Sequence, residues 1–288
     1  MPLPDLRPLT DLLAGRTITV LAGAGMSTES GIPDYGGLAS RKRRTRIQYG
    51  EFVGEHSARQ RYWARAAVGW RRVRAAQPND GHRAVARLEA AECVAGVITQ
   101  NVDGLHHQAG SRRVVELHGS LSRVVCLGCG SVTARADVQR RLERLNPWIS
   151  ASEAPHEPDG DAKLEDERVA GFIVPQCESC GGILKPDVVF FGERVPKAVT
   201  EEAWQLYEEG EVLLVVGSSL AVFSGYRFVL QASKDDRPVA VLNLGPTRGD
   251  DRATVKVEGR AGEVLSAVAD ALEGREGNLG ATGHRLDA

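Results

Sequence analysis

The sequence predicts an α/β fold class with a doubly wound parallel sheet, and three observations support this prediction. Apolar runs typical of strands buried on both faces alternate with segments of helical periodicity. A glycine-rich turn follows the first apolar run. Two C-x-x-C pairs interrupt the alternation in the middle of the chain and indicate a smaller, inserted unit. This order is typical of a Rossmann-like sheet with a smaller metal-binding lobe and a helical insertion.

Each predicted element has its own pattern. The run TITVLA at 17–22 is rich in β-branched residues, and EVLLVVG at 211–217 is continuously apolar, as in a strand covered on both faces. Residues 82–91 place Ala84, Val85 and Leu88 on one helical face. The other predicted strands are 94–99, 113–117 and 238–244, and the other predicted helices are 226–232 and 261–272.

Composition narrows the class of protein. The chain has 288 residues, 42% of them hydrophobic and 26% charged, which fits a globular protein with a substantial core. The net charge of −2 provides no general attraction for nucleic acid or an anionic membrane, and we expect neither as a partner. No apolar run reaches the roughly 20 residues of a membrane-spanning helix, and no signal-peptide pattern is visible, so we expect a cytoplasmic location.

The alternation of patterns also predicts a domain organisation. Segments 1–33, 81–119 and 185–273 are expected to form the Rossmann-like domain. Residues 34–80 are expected to form a loop and a helical insertion, and residues 120–184 a metal-binding lobe. The polar segment 274–288 is expected to be a disordered tail.

Four of the five cysteines form the two C-x-x-C pairs, Cys126/Cys129 and Cys177/Cys180, which lie among glycines. In a reducing compartment such pairs favour one tetrahedral zinc ion over disulfides, although a redox C-x-x-C is the alternative. Four thiolates leave no open coordination position, so the zinc is expected to be structural.

A polar run, TQNVDGLH, follows the predicted strand 94–99, and His118-Gly119 follows the next strand. Ligands of open α/β sheets bind at the carboxyl ends of the strands. The glycine loop Gly23-Ala24-Gly25 is a second candidate, because glycines let backbone amides approach a phosphate. It is not a complete G-x-G-x-x-G, since Thr28 occupies the third glycine position, and a purely structural turn is the alternative.

Seven motifs together resemble the sirtuin family: GAGMSTESGIPDY, TQNVDGLH, LHG, the paired C-x-x-C, KPDVVFFGE, GSSL and NLGPTR. They occur in the family's order from about Thr17 to Ala261, which covers most of the chain. The motifs LKPDVVFFGE and SGYRF, with the long gap between the cysteine pairs, are most similar to the class II branch, which includes the mitochondrial sirtuin 4-like proteins.

The resemblance implies an NAD-dependent protein-lysine deacylase that consumes NAD. In this family the acyl-lysine carbonyl oxygen attacks the nicotinamide ribose, nicotinamide leaves, and the acyl group migrates to the sugar of ADP-ribose. The resemblance assigns the general base to His118 and polar contacts beside the nicotinamide ribose to Asn101 and Asp103. A histidine suits this role because its ordinary pKa is about 6.5.

The resemblance also implies contacts with NAD and with an acylated-lysine protein. The NAD contacts are Ala22, Gly23, Ala24, Gly25, Ser27, Asp34, Tyr35, Gln100, Asn101, Val102, Asp103, Gly217, Ser218, Ser219, Asn243, Leu244, Gly245 and Ala261. The substrate contacts are Val189, Phe191, Gly192, Glu193, Leu220 and Val222, in the segments VFFGE and LAVFS. The substrate peptide is expected to lie between these two segments as an added strand.

One position departs from the family pattern: Gly36 stands where the family usually has arginine, and Arg41, Arg43 and Arg44 follow a few residues on. Two other functions are kept as alternatives, and Gly36 supports only the second of them. One is protein mono-ADP-ribosylation on the same scaffold, and the other is a non-catalytic NAD-sensing module. A nucleic-acid-binding zinc ribbon is disfavoured by the net charge, and the acyl group, the target protein and the oligomeric state stay open.

Overall fold

A computed structural model of the chain describes residues 3–34, 47–151, 164 and 169–282. Tyr35, Gly36 and the arginines of 41–46 lie outside the described residues. Nine strands form two sheets in the described part of the chain. They are β1 Ile18–Ala22, β2 Val94–Thr99, β3 Val114–Glu116, β4 Gly119–Cys126, β5 Val132–Ala134, β6 Leu184–Val188, β7 Val212–Val216, β8 Val239–Leu242 and β9 Val255–Val257.

The larger sheet has six parallel strands in the order β3-β2-β1-β7-β8-β9. Every residue of β1, β7 and β8 is buried, which explains their continuous apolar runs. Successive side chains point to opposite faces: Val212, Leu214 and Val216 join one core cluster, whereas Leu213 and Val215 join another. The predicted α/β class with a parallel Rossmann-like sheet is confirmed.

Helices cover both faces of this sheet. The helices of the described residues are α1 Arg7–Leu13, α2 Tyr49–Gly54, α3 His56–Ala75, α4 Asp80–Ala90, α5 Leu105–Gln108, α6 Arg135–Leu145, α7 Lys197–Glu209, α8 Phe223–Lys234 and α9 Ala261–Thr282. The first core cluster packs α1, α4 and α9 against one face, and the second packs α7 and α8 against the other. Among the described helices, none combines the length and apolar character that a membrane crossing requires.

The C-terminal segment differs from the expected disordered tail. Helix α9 begins at Ala261 and continues through Thr282. Extending an existing helix costs less than nucleating one, so polar residues at its end can stay helical. The expectation is therefore corrected for 274–282, and residues 283–288 lie outside the described part.

The second unit is built on a three-stranded antiparallel sheet in the order β5-β4-β6. Its core joins Phe52, Tyr62 and Trp63 of α2 and α3 with Val138 and Leu142 of α6. The helical insertion and the cysteine-containing segment therefore share one hydrophobic core, although they were expected as two units. Strand β6 also belongs to this sheet, whereas residues from 185 onward were assigned to the large domain.

Candidate active site

Two glycine loops cross at the carboxyl ends of β1 and β7. The backbone N–H groups of Gly23 and Gly25 donate to the carbonyl oxygens of Val216 (2.9 Å) and Gly217 (2.7 Å). Gly217 has φ +60°, and a Cβ on it would lie 2.3 Å from the Met26 nitrogen, so a side chain cannot be accommodated there. The amides of Gly23 and Gly25 thus join the two loops.

A cleft of about 290 Å³ opens beside this crossing. Six residues predicted to contact NAD line it: Gly25, Asp34, Gly217, Asn243, Leu244 and Ala261. Five other lining residues were not predicted from the sequence, namely Thr28, Glu29, Leu242, Gly259 and Arg260. Thr28 and Glu29 come a few residues after the glycine loop, and this position is the signal that could have found them. No comparable signal marked Arg260, because it precedes a helix far along the chain.

A polar cluster, defined here as Ser27, Asn101 and Asp103, lies between β1 and β2. The Asn101 Nδ2 donates to the Gly23 carbonyl oxygen (3.0 Å) and to the Ser27 hydroxyl (3.1 Å). The Ser27 hydroxyl in turn donates to Asp103 Oδ2 (2.7 Å), and the Leu105 N–H donates to Asp103 Oδ1 (2.9 Å). Burial raises the pKa of Asp103 despite these hydrogen bonds. The cluster holds an amide and a carboxyl group in fixed positions at the sheet edge.

His118 follows β3 and is held from both ring nitrogens. Its Nδ1 lies 3.0 Å from the Gln100 carbonyl oxygen, and its Nε2 lies 2.7 Å from the Ser224 hydroxyl oxygen. A carbonyl oxygen only accepts, so Nδ1 carries the proton of the neutral ring. Burial lowers the pKa of His118, and the charge of Arg227 contributes in the same direction. The ring is therefore neutral near pH 7, with Nε2 as its basic atom.

Gly119 fixes the backbone next to His118. Its φ is +79°, and a Cβ on it would lie 2.0 Å from the Asp187 carbonyl oxygen of β6. On the other side, the Val189 N–H donates to the His118 carbonyl oxygen (2.9 Å). His118 thus lies where the chain leaves the large sheet for the small one.

Gln100 and Ser218 connect the ends of β2 and β7. The Gln100 Nε2 donates to the Ser218 hydroxyl oxygen (2.8 Å), which also accepts from the Leu220 N–H (3.2 Å). Leu220 has φ +57°, a strained conformation for a leucine, and its side chain is only 1% exposed. Leu220, predicted to contact the substrate, therefore packs its side chain into the core.

The other predicted NAD contacts lie along the same edge. The Ala22 carbonyl oxygen accepts from the Gln100 N–H (2.9 Å), and the Val102 carbonyl oxygen accepts from the Leu121 N–H (2.8 Å). The Ser219 carbonyl oxygen accepts from the Arg248 N–H (3.0 Å). Ala24 begins the 3₁₀ segment Ala24–Ser30, and Gly245 adopts φ +85° after β8. The hydrogen bonds of Ala22, Val102 and Ser219 are thus all made by backbone carbonyl oxygens.

The two segments predicted to bind substrate differ in exposure. Phe191 is 40% exposed and Val222 is 43% exposed, so both are available to a ligand. Phe190 is buried in the small lobe. The Glu193 carboxylate pairs with Lys185 Nζ (3.0 Å) and accepts from the Phe190 N–H (2.8 Å), which holds the turn through Gly192. The Glu193 side chain therefore stabilises this turn.

The four cysteines converge. Their sulfur atoms all lie within 4.8 Å of one another, and Cys126–Cys180 and Cys129–Cys177 are separated by 3.5 and 3.8 Å. Sulfurs on a tetrahedral zinc with Zn–S bonds of roughly 2.3 Å are about 3.8 Å apart. The donor set therefore fits a closed Cys₄ zinc site. Cys93 lies elsewhere, half-buried against the large core.

His106, within the polar run, is buried and packs on His82, with ring centroids 4.8 Å apart. Neither ring nitrogen of His106 has a hydrogen-bond partner among the described residues. His106 therefore lacks hydrogen-bond partners of the kind that hold both ring nitrogens of His118. Ser224 was expected only as the end of a substrate-binding segment. Its contact with His118 depends on the approach of α8 to β2, which sequence spacing cannot show.

Comparisons with known proteins agree with this geometry. A model of the Sir2 family matches residues 23–224. The chain is 53% identical over 269 residues to NAD-dependent protein deacetylase 1 of Mycobacterium avium, with 92% of this chain and 94% of the relative covered. It is 49% identical over 257 residues to the human mitochondrial NAD-dependent protein lipoamidase sirtuin-4, with 88% of this chain and 82% of that protein covered.

A solved structure described as a Sir2–p53 peptide–NAD⁺ complex aligns with a TM-score of 0.74 and 30% identity, covering 96% of this chain and 100% of that chain. A second, described as Sir2Tm bound to a propionylated peptide, aligns with a TM-score of 0.73 and 29% identity, covering 94% and 99%. The family match covers more than half of the chain, and the resemblance inferred from the motifs is confirmed. The chain belongs to the Sir2 family.

Proposed function

We propose that this protein is an NAD-dependent protein-lysine deacylase that transfers the acyl group of a lysine to ADP-ribose and releases nicotinamide. The observation that carries the proposal is the state of His118. Its Nδ1 proton is held by the Gln100 carbonyl oxygen, and its basic Nε2 lies at the sheet edge. Relatives at about 50% identity named as NAD-dependent deacetylases support the same activity.

NAD, when bound, supplies the activated ribose that accepts the acyl group. The cleft beside Gly217 and Ala261 would hold its adenosine half, with Asn243 and Asp34 as polar contacts. Asn101 and Asp103 would orient the nicotinamide half, because an amide and a carboxyl group can bind a carboxamide and a ribose hydroxyl. Thr28, Glu29 and Arg260 are additional candidates for NAD contacts.

His118 would remove a proton from a ribose hydroxyl. A neutral imidazole with a lowered pKa is available as a base at physiological pH. Positioned general bases typically contribute about 10²- to 10⁴-fold to rate. The proton would go to Nε2, because Nδ1 already carries one.

The acylated peptide would lie between the segments that contain Phe191 and Val222. Both side chains are exposed, whereas Leu220 is buried and the Glu193 carboxylate pairs with Lys185, so any contact of these two residues with the peptide would use the backbone. Recognition through the peptide backbone fits a substrate defined by its acyl-lysine more than by its neighbouring residues.

The zinc would be structural, since four thiolates leave no open position for chemistry. Such a site requires reduced cysteines, which supports the proposed cytoplasmic location.

Product identification tests the proposal. The purified protein is incubated with NAD and lysine peptides that carry acetyl, succinyl, lipoyl or long-chain acyl groups, and products are followed by mass spectrometry. We expect equal amounts of nicotinamide, deacylated peptide and O-acyl-ADP-ribose for at least one acyl group, and none of these without NAD. ADP-ribosylated protein without deacylated peptide would instead support the transferase alternative. NAD binding without any product would overturn the enzymatic function.

A further inference from the structure

The hydroxyl of Ser224 contacts the atom of His118 that has to act as the base. It lies 2.7 Å from Nε2, a short and well-formed hydrogen bond. The other ring nitrogen donates to the Gln100 carbonyl oxygen, so Nε2 is unprotonated and can only accept. The Ser224 hydroxyl must therefore be the donor.

Gly225 allows the start of α8, which carries Ser224, to pack closely against Gln100. Gly225 follows Ser224 in the first turn of α8, and a Cβ on it would lie 2.6 Å from Gln100 Oε1. The start of α8 is therefore pressed against Gln100. Gln100 also donates to Ser218, and Ser224 is joined to Gln100 through His118, so hydrogen bonds link the start of α8, the end of β2 and the loop after β7.

A second residue of α8, Arg227, also acts on the His118 ring. Arg227 lies one turn after Ser224 and disfavours the charged form of His118. Its Nε and one terminal nitrogen are buried without hydrogen-bond partners in the described structure, and its guanidinium lies over the Trp204 ring at 5.6 Å. Arg227 acts through charge, whereas Ser224 acts through a directed hydrogen bond.

We propose that Ser224 is a positioning residue that donates a hydrogen bond to His118 Nε2, keeping this nitrogen unprotonated and aimed at the site until a substrate hydroxyl takes its place. The inference rests on the proposed function of His118 as base. An imidazole nitrogen has one lone pair in the ring plane, so the substrate hydroxyl and Ser224 exclude each other at this atom. Ser224 therefore holds the ring in the free enzyme and gives way when substrate binds.

The test measures the pKa of the His118 imidazole by NMR titration of the NAD-free protein. A hydrogen bond to the neutral form lowers the pKa, so Ser224→Ala should raise the pKa of His118 by about 0.5 to 1 unit. Ser224→Thr keeps the hydroxyl and should restore the wild-type value. Ser233→Ala is the matched control on the same helix, since the Ser233 hydroxyl donates to the Val229 carbonyl oxygen within α8.

Steady-state kinetics provide a second measurement. For Ser224→Ala we expect the acid limb of kcat/KM to move upward by the same amount, and kcat/KM at pH 7.5 to fall about three- to tenfold. An unchanged His118 titration in Ser224→Ala, with wild-type activity, would overturn the inference and leave the deacylase function intact. If the wild-type protein has no deacylase activity, the proposed function fails while the NMR titration still decides the role of Ser224.

Discussion

The large sheet and the small lobe are stabilised by different interactions. The large sheet buries β1, β7 and β8 completely between two layers of helices and keeps its polar groups at the carboxyl ends of the strands. The small lobe has a three-stranded sheet, an aromatic cluster and four converging thiols. The large sheet is stabilised mainly by the burial of apolar surface, and the small lobe needs a metal ion in addition.

The difference explains where the site lies. His118 follows β3 of the large sheet, and the next residue, Gly119, begins β4 of the small lobe. Because β4 and β6 pair directly after this point, the geometry of the small lobe is transmitted to the backbone of His118. The small lobe, which does not contain the cleft, is therefore joined directly to the backbone of the proposed base, His118.

The largest effect is expected from removing one zinc ligand. Structural zinc contributes about 10–16 kcal/mol of apparent binding free energy in small zinc domains. Cys177→Ser should lose bound zinc, unfold the small lobe and abolish activity. Metal content and thermal unfolding measure this. Cys93→Ala is the control and should keep one zinc per chain. Full activity of a zinc-free Cys177→Ser protein would contradict a structural role.

Gly119→Ala tests the connection between the two regions. The alanine would have to adopt φ +79°, and its Cβ would lie 2.0 Å from the Asp187 carbonyl oxygen. We therefore expect the free energy of unfolding to fall by about 3 kcal/mol or more. Gly110→Ala is the matched control, because Gly110 has φ +101° with no atom within 4 Å of a Cβ. It should cost only the conformational term of about 1–2 kcal/mol. Urea unfolding of both variants measures the difference, and equal losses would contradict the proposed close contact.

A smaller effect is expected from the buried histidines behind the polar cluster. Burial, with a contribution from Arg83, lowers the pKa of His82 to about 4. Between this value and the ordinary pKa of about 6.5, the unfolded chain binds more protons than the folded chain, so stability falls as pH falls through this range. The neighbouring His106 ring, 4.8 Å away, has its pKa lowered as well.

For His82 alone we expect a loss of about 2 kcal/mol between pH 7 and pH 5. The free energy of unfolding of wild type and His82→Gln, measured at both values, should show a smaller pH dependence in the variant. Ser233→Ala, which removes no titratable group, provides the control and should keep the wild-type pH dependence. Identical pH dependences of wild type and His82→Gln would show that His82 is not buried in its neutral form.

The sequence predicted five of the six strands of the large sheet, because a strand covered on both faces has a continuous apolar run, as in VLLVV of β7. The short strand β9, Val255–Val257, has no such run and was missed. It also predicted which strand ends carry the polar groups, since Asn101, Asp103 and His118 directly follow their strands. These properties are local, so they are visible in a single sequence.

The properties that were missed depend on contacts between distant segments. The common core of Trp63 and Leu142, the Lys185–Glu193 ion pair and the contact of Ser224 with His118 each need the folded arrangement. Leu220 was assigned to the substrate because of its motif, but its strained backbone turns the side chain into the core. A linear pattern does not show which way a loop residue points.

The most direct test of the account compares His118→Ala with His107→Ala. Both variants remove a histidine near the sheet edge, but only His118 is held by Gln100 and Ser224. With zinc-loaded, folded proteins, NAD and the best acyl-lysine peptide, kcat/KM should fall about 10²- to 10⁴-fold for His118→Ala and stay near wild type for His107→Ala. Comparable activity of His118→Ala and wild type would contradict the assignment of His118 as the base at this site.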